Sequence, residues 1–143
     1  MPTIETTDYL ALKSRIDTLA TDPAMTVYEP DDIITPPSDA IGPLPFILLS
    51  DVTNDPNRGG RIDPSLHVRS GTLMLSLQWP IARAISHVQL KEIAGQIAAH
   101  FPADERMRYG ASRLRVTQDA GILPSYVDGA YRVTVVRALW SSM

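Results

Sequence analysis

One stretch constrains the fold of this chain more than any other. From Leu66 to Trp79, Leu73, Leu75, Leu77 and Trp79 alternate with Thr72, Met74, Ser76 and Gln78. A period of two belongs to a strand with one face turned to a core. Pro80 ends it, since proline offers no amide to a sheet ladder. The chain must therefore supply neighbouring strands and something to cover the leucine face.

The cover is legible further on. Ser86-His87-Val88-Gln89 has capping-box spacing: the serine oxygen accepts from the amide at Gln89, and the glutamine side chain reaches back to the amide of Ser86. Leu90, Ile93, Ala94, Ile97, Ala98 and Phe101 then recur at helical spacing, and Pro102 stops the helix. A first helix is predicted over about Thr7 to Thr21. There Leu12, Ile16 and Leu19 form one stripe, with Asp22-Pro23 ending it.

The remaining segments read mostly as strands and turns. Met25 to Tyr28 is a short strand candidate. Phe46 to Val52 is an apolar run suited to a buried strand. Ser112 to Gln118 alternates, with Leu114 and Val116 inward. Tyr126 to Ser141 reads as a hairpin edge and a long strand turning at Asp128-Gly129. In that strand Tyr131, Val133, Val135 and Leu139 share one face, while Val136, Ala138 and Trp140 make the other partly apolar. This pattern predicts burial on both sides. Glu29 to Pro45 holds Pro30, Pro36, Pro37, Pro43 and Pro45 and reads as a long loop. Thr53 to Pro64 and Asp119 to Pro124 read as two more. The resulting expectation is an α+β fold: one mixed, mostly antiparallel sheet with two helices packed on a face. The length of 143 residues suits a single domain spanning 1–143.

Composition narrows the chemistry. The chain has no cysteine, which excludes disulfides, thiolate metal sites and cysteine nucleophiles. A net charge of −3 argues against non-specific DNA coating, which needs an excess of Lys and Arg. No run approaches about 20 apolar residues, so no membrane span is expected. The acidic, polar start from Met1 to Asp8 lacks a signal-peptide pattern, which points to synthesis in a cytoplasm.

No catalytic, metal-binding or cofactor-binding set emerges. His87 and His100 lie 13 residues apart, about 20 Å along a helix, and cannot share a metal. His67 falls in a strand with no carboxylate at ligand spacing. Asp31-Asp32 and Asp104-Glu105 are adjacent loop pairs. Asp51, Asp55 and Asp63 surround one loop without a calcium-loop pattern. Arg58-Gly59-Gly60-Arg61 lacks the phosphate-loop pattern and reads either as a plain turn or as an interaction loop. On the second reading Arg58, Arg61 and Arg69 face a partner or a channel. Trp79 and Trp140 end strands on mixed faces, as core residues or interface anchors, and Trp140 is the better anchor candidate. Arginine-rich faces, long loops and a doubly apolar last strand suit a chain that pairs with copies of itself.

From the glycine-arginine loop onward the chain resembles the tail terminator proteins of long-tailed bacteriophages. The resemblance is carried by Arg58-Gly59-Gly60-Arg61 and by the Arg-x-Gly-x-Leu-x-Leu-x-Leu strand from Arg69 to Leu77, followed by Pro80. It continues in the Ile93-Ala94-x-x-Ile97-Ala98-x-x-Phe101 helix and the Asp128-Gly129-x-Tyr131 turn into Arg132 to Val136. The opening helix, Tyr9 to Leu19, and Val27-Tyr28-Glu29-Pro30 are similar to the start of the family; Asp31 to Pro45 is richer in proline than the family pattern. The resemblance implies a non-enzymatic virion protein with no cofactor, which assembles as a homohexameric ring on the finished tail tube. Such a ring stops tube polymerisation and presents a surface to the head-completion or connector protein. DNA passes through its lumen without specific binding, and Arg58 and Arg61 lie on a loop reaching the lumen or the tube face. Two alternatives stand beside this reading. One is another tail tube or head-closure subunit. The other is a small ligand-binding domain or enzyme, which would need a pocket of converging polar groups.

Overall fold

The computed structural model describes residues 3–50, 52–57 and 68–143, with Pro56 and Asn57 described by backbone only. In chain order the elements are α1 (Ile4–Ile16), β1 (Val27–Tyr28), β2 (Phe46–Leu49), β3 (Asp55–Asn57), β4 (Val68–Pro80), α2 (His87–Ala99), β5 (Arg106–Tyr109), β6 (Ser112–Val116), β7 (Gly121–Ile122), β8 (Tyr126–Asp128) and β9 (Tyr131–Ser142). The described strands form one sheet with the path β1-β2-β4-β9-β6-β5. Among the described residues only β1 and β2 run parallel, and every other pairing is antiparallel. The α+β expectation of a mixed, mostly antiparallel sheet with two helices holds.

β4 and β9 form the spine, in register from Ser70 opposite Ser141 to Pro80 opposite Tyr131. Leu73, Leu75 and Leu77 face the helices beside Ala138, Val136 and Thr134, so the predicted alternation matches the buried side. Each remaining edge of the spine is shared by short strands. β2 and β3 line β4, while β8, β7 and β6 line β9 in succession. Four consecutive residues, Val133 to Val136, are buried, as the double apolar pattern of the last strand requires. On the face away from the helices, Phe46 packs edge-on between Tyr28 and Tyr131, at centroid distances of 5.4 and 5.5 Å.

α2 begins as its spacing predicts. Ser86 Oγ accepts from the amide of Gln89 at 3.1 Å, and Gln89 Oε1 accepts from the amide of Ser86 at 3.2 Å. Leu90, Ile93, Ala94 and Ile97 fill the buried face. α1 differs from its predicted range at both ends. Thr3 caps it, so it starts at Ile4 and not Thr7. It stops at Ile16 because Thr18 Oγ1 donates to the carbonyl of Arg15 at 2.7 Å, and the amide of Leu19 closes a tighter turn on Ile16 at 2.9 Å. Leu19 still packs on the core, but from outside the helix. The two helices are tied at their C-terminal ends. Arg15 Nε donates to the carbonyl of His100 at 2.9 Å, and His100 Nε2 donates to the carbonyl of Arg15 at 2.7 Å.

Two further expectations are corrected and one strand is added. Arg106 to Tyr109, to which the sequence reading assigns no element, is an edge strand that buries only Met107; Gly110, at φ +54°, opens the two-residue turn into β6. The Thr53 to Pro64 and Asp119 to Pro124 loops each contain a short strand, β3 and β7, held by pairing with β4 and β9. The Phe46 to Val52 strand ends at Leu49, and Asp51 lies outside the described residues. The proline-rich stretch is irregular yet pinned. Ser38 and Pro43 form a single bridge, and Arg83 reaches the carbonyls of Pro43 and Gly42 at 2.8 and 3.1 Å and pairs with Asp39.

Candidate functional site

The predicted site residues separate into three environments. Arg58 and Arg61, with Gly59, Gly60, Asp63 and His67, lie outside the described residues. Trp140 is only 1% exposed and sits in the core, where no partner side chain reaches it in this conformation. Its indole lies opposite Gly71 on β4. A β-carbon at Gly71 would fall 2.9 Å from Trp140 Cζ2 and into the carbonyl of Thr53, so only glycine fits there.

Arg69 is held within its own chain. Its Nε and Nη2 donate to the two oxygens of Asp8 at 2.6 and 3.2 Å, a bidentate pair. Asp8 is fully buried, and it also accepts from Ser112 Oγ at 2.6 Å and Asn54 Nδ2 at 3.0 Å. Thr7 Oγ1 lies 2.7 Å from the same Ser112 hydroxyl. Burial pushes the Asp8 pKa upward. The hydrogen bonds from Arg69, Ser112 and Asn54 and the Arg69 charge outweigh it, leaving the carboxyl below its ordinary value. This network joins α1, the segment before β3, β4 and β6. Sequence reasoning missed it because its members are 61 and 104 positions apart. The one available signal was Asp8 beside Ala11 and Leu12 on the helix face that packs inward.

Two exposed surfaces remain as docking candidates. The first is an open groove of about 570 Å³ between the N-terminal end of α2 and the β7–β8 segment. Leu123, Pro124, Tyr126 and Val127 supply apolar lining, while His87, Lys91 and Arg132 line it with basic groups; no carboxylate among the described residues lines it. Val88, at 75% exposed, adjoins it on α2. The second follows β1. Glu29, Asp31 and Asp32 cluster closely enough to hold a cation between them, and Ile33 and Ile34 follow, both exposed. Lys13 sits 3.4 Å from Glu29 Oε1 and 3.2 Å from Asp17 Oδ2, and those hydrogen bonds raise its pKa. Burial, then the charges of Glu29 and Asp31, raise that of Tyr9 nearby. Asp32 Oδ2 accepts from the Glu29 amide at 2.8 Å, so part of the acidic group shapes its own turn.

The two described histidines, His87 and His100, do not converge with the described carboxylates. His87 lines the groove, while His100 caps α2 at its far end and bonds to Arg15. Asp104 pairs with Arg115 at 3.5 Å and Glu105 with Arg15 at 3.2 Å. No helix among the described residues is long and apolar enough to cross a membrane.

Comparison with known proteins bears on this arrangement. No curated protein matches the chain. A solved chain whose own description states no function superposes with a TM-score of 0.67 at 16% identity, covering 94% of this chain and 95% of that one. A chain from the virion of a native gene transfer agent particle superposes with a TM-score of 0.53 at 11% identity, covering 97% and 92%. At such identities these two likenesses establish a shared fold. The family assignment rests on the sequence: the family model described as phage tail terminator protein matches residues 9–140, nearly the whole chain. The chain therefore belongs to the phage tail terminator family, a family of structural virion proteins.

Proposed function

We propose that this protein caps the completed tail tube as a closed ring of identical subunits, six in number, ending tube polymerisation and forming the surface to which the head-side connector joins. The observation that carries the reading is the family match across residues 9–140. The fold supports it in a second way. Among the described residues, an apolar groove lies beside β7 and β8 on one side of the β4–β9 spine and an exposed aliphatic segment follows β1 on the other, which suits a subunit that meets a different flank of the next copy. The partners of such a ring are its own copies, the tail tube protein and the head-completion protein. DNA passes through the lumen without specific binding, in keeping with a net charge of −3. The chain acts without cofactor or catalysis, as a part of the virion made in the host cytoplasm.

In this reading Arg58 and Arg61 lie on a loop that reaches the lumen or the tube face. The variant Arg58→Glu/Arg61→Glu is expected to keep the far-ultraviolet spectrum and thermal midpoint of the parent while failing to complement head–tail joining. Normal infectious particles from that variant would remove the loop from the joining surface. Negative-stain microscopy of the purified protein tests the capping role: discrete rings support it, and open stacked tubes would assign the chain to tube building instead.

A further inference from the structure

The groove between α2 and the β7–β8 segment has no assigned occupant, and its chemistry selects one. Lys91 and Arg132 supply its fixed positive charge, and neither has an ion-pair partner among the described residues. Among the described residues its lining holds no carboxylate, and Tyr126 and Val127, which line it, are exposed. A matching occupant carries acidic groups next to exposed aliphatic side chains. The chain has such a segment of its own in Asp31-Asp32-Ile33-Ile34, where all four residues are exposed and Ile33 is 84% exposed.

The topology sets the strand that leads into the segment and the groove on different sides of the β4–β9 spine. β7 and β8 pair with β9 on the side away from β4, whereas β1, which leads into the acidic segment, pairs with β2 on the far side of β4. The groove therefore lies along one lateral edge of the sheet, and the segment leaves the chain from the strand at the other. Complementary patches on opposite edges of identical chains join head to tail, and such contacts close into a ring when the rotation per copy divides the circle.

We infer that Asp31-Asp32-Ile33-Ile34 of one copy docks into the α2/β7–β8 groove of the next. Asp31 and Asp32 meet Lys91 and Arg132, and the isoleucines cover Tyr126 and Val127. The inference rests on the ring reading above and specifies which two surfaces make the contact. The oppositely charged groups set the register, and the apolar contact beneath them supplies the adhesion.

Two experiments test it. The chain is free of cysteine, so Ile33→Cys/Val127→Cys introduces the only thiols. Mild oxidation is expected to give a ladder of covalent multimers from this double variant, and no product beyond a dimer from either single variant. The second experiment is a charge exchange. Asp31→Lys/Asp32→Lys and Lys91→Glu/Arg132→Glu are each expected to weaken self-association about tenfold or more in sedimentation velocity. An equimolar mixture of the two is expected to restore it, because each variant then pairs only with the other. If the wild type forms rings while both reversed variants form them equally well, the contact lies elsewhere and the ring reading survives. If both variants lose association and mixing restores nothing, the groove serves a different partner and the inference is overturned. A wild-type chain that remains monomeric at every concentration and on purified tail tubes removes the ring reading and this inference together.

Discussion

At the scale of single residues, the Asp8 network has the largest energetic consequence. Burying a carboxylate is costly, and here four groups offset that cost: the two guanidinium donors of Arg69, the Ser112 hydroxyl and the Asn54 amide. Asp8→Ala removes the acceptor and leaves the guanidinium and hydroxyl short of a partner. It is expected to lower unfolding free energy by about 3 kcal/mol in urea titration. The same residue sets an acid limit. Its pKa is lower folded than unfolded, so near and below the ordinary value the unfolded state binds more protons. Its contribution is complete above the unfolded pKa and falls away as pH drops through the lower folded value. The parent should lose stability more steeply than Asp8→Asn below about pH 4, measured as the urea midpoint against pH. A parallel decline in both proteins would mean that other carboxylates govern the acid transition.

Among the elements, α2 is the one whose stability depends most visibly on local chemistry. Both capping-box bonds at Ser86 and Gln89 are made, and its first turn contains no acidic residue to assist at the positive end of the helix dipole. Ser86→Ala is therefore expected to cost about 1 kcal/mol, read from the urea midpoint at unchanged m-value. Ser86→Asp should recover that loss by restoring an acceptor. The helix was legible because its signals lie within a few residues of one another. β5 and β7 were not, for the opposite reason. Arg106-Met107-Arg108-Tyr109 offers one buried side chain, and Gly121-Ile122 offers two exposed residues. Both are strands because a neighbouring strand supplies hydrogen-bond partners, a condition that no short window of sequence contains.

For the whole molecule, one core joins both helices to the spine of the sheet. Ala11, Leu12 and Ile16 of α1 and Leu90, Ile93 and Ile97 of α2 belong to the same buried cluster as Leu73, Leu75, Leu77 and Trp140. A shared core predicts that residues 1–143 unfold as one unit. Tryptophan fluorescence, reporting Trp79 and Trp140, and far-ultraviolet circular dichroism should give coincident transitions at monomeric concentrations. Two separated transitions would divide the chain into independent parts.

By itself the sequence determined what local patterning can specify. The leucine alternation of β4, the cap and apolar face of α2 and the two-sided burial of β9 are all encoded in residues a few positions apart. The family pattern over residues 9–140 was likewise a property of the sequence. Only the tertiary structure decided where distant residues meet. It took Arg69 inward to Asp8, buried Trp140 against Gly71, and set a basic groove on one side of the β4–β9 spine and β1, which leads into an acidic aliphatic segment, on the other. The physical reason is that strand pairing and buried charge pairing are long-range contacts, and their partners are chosen by the folded arrangement of the whole chain.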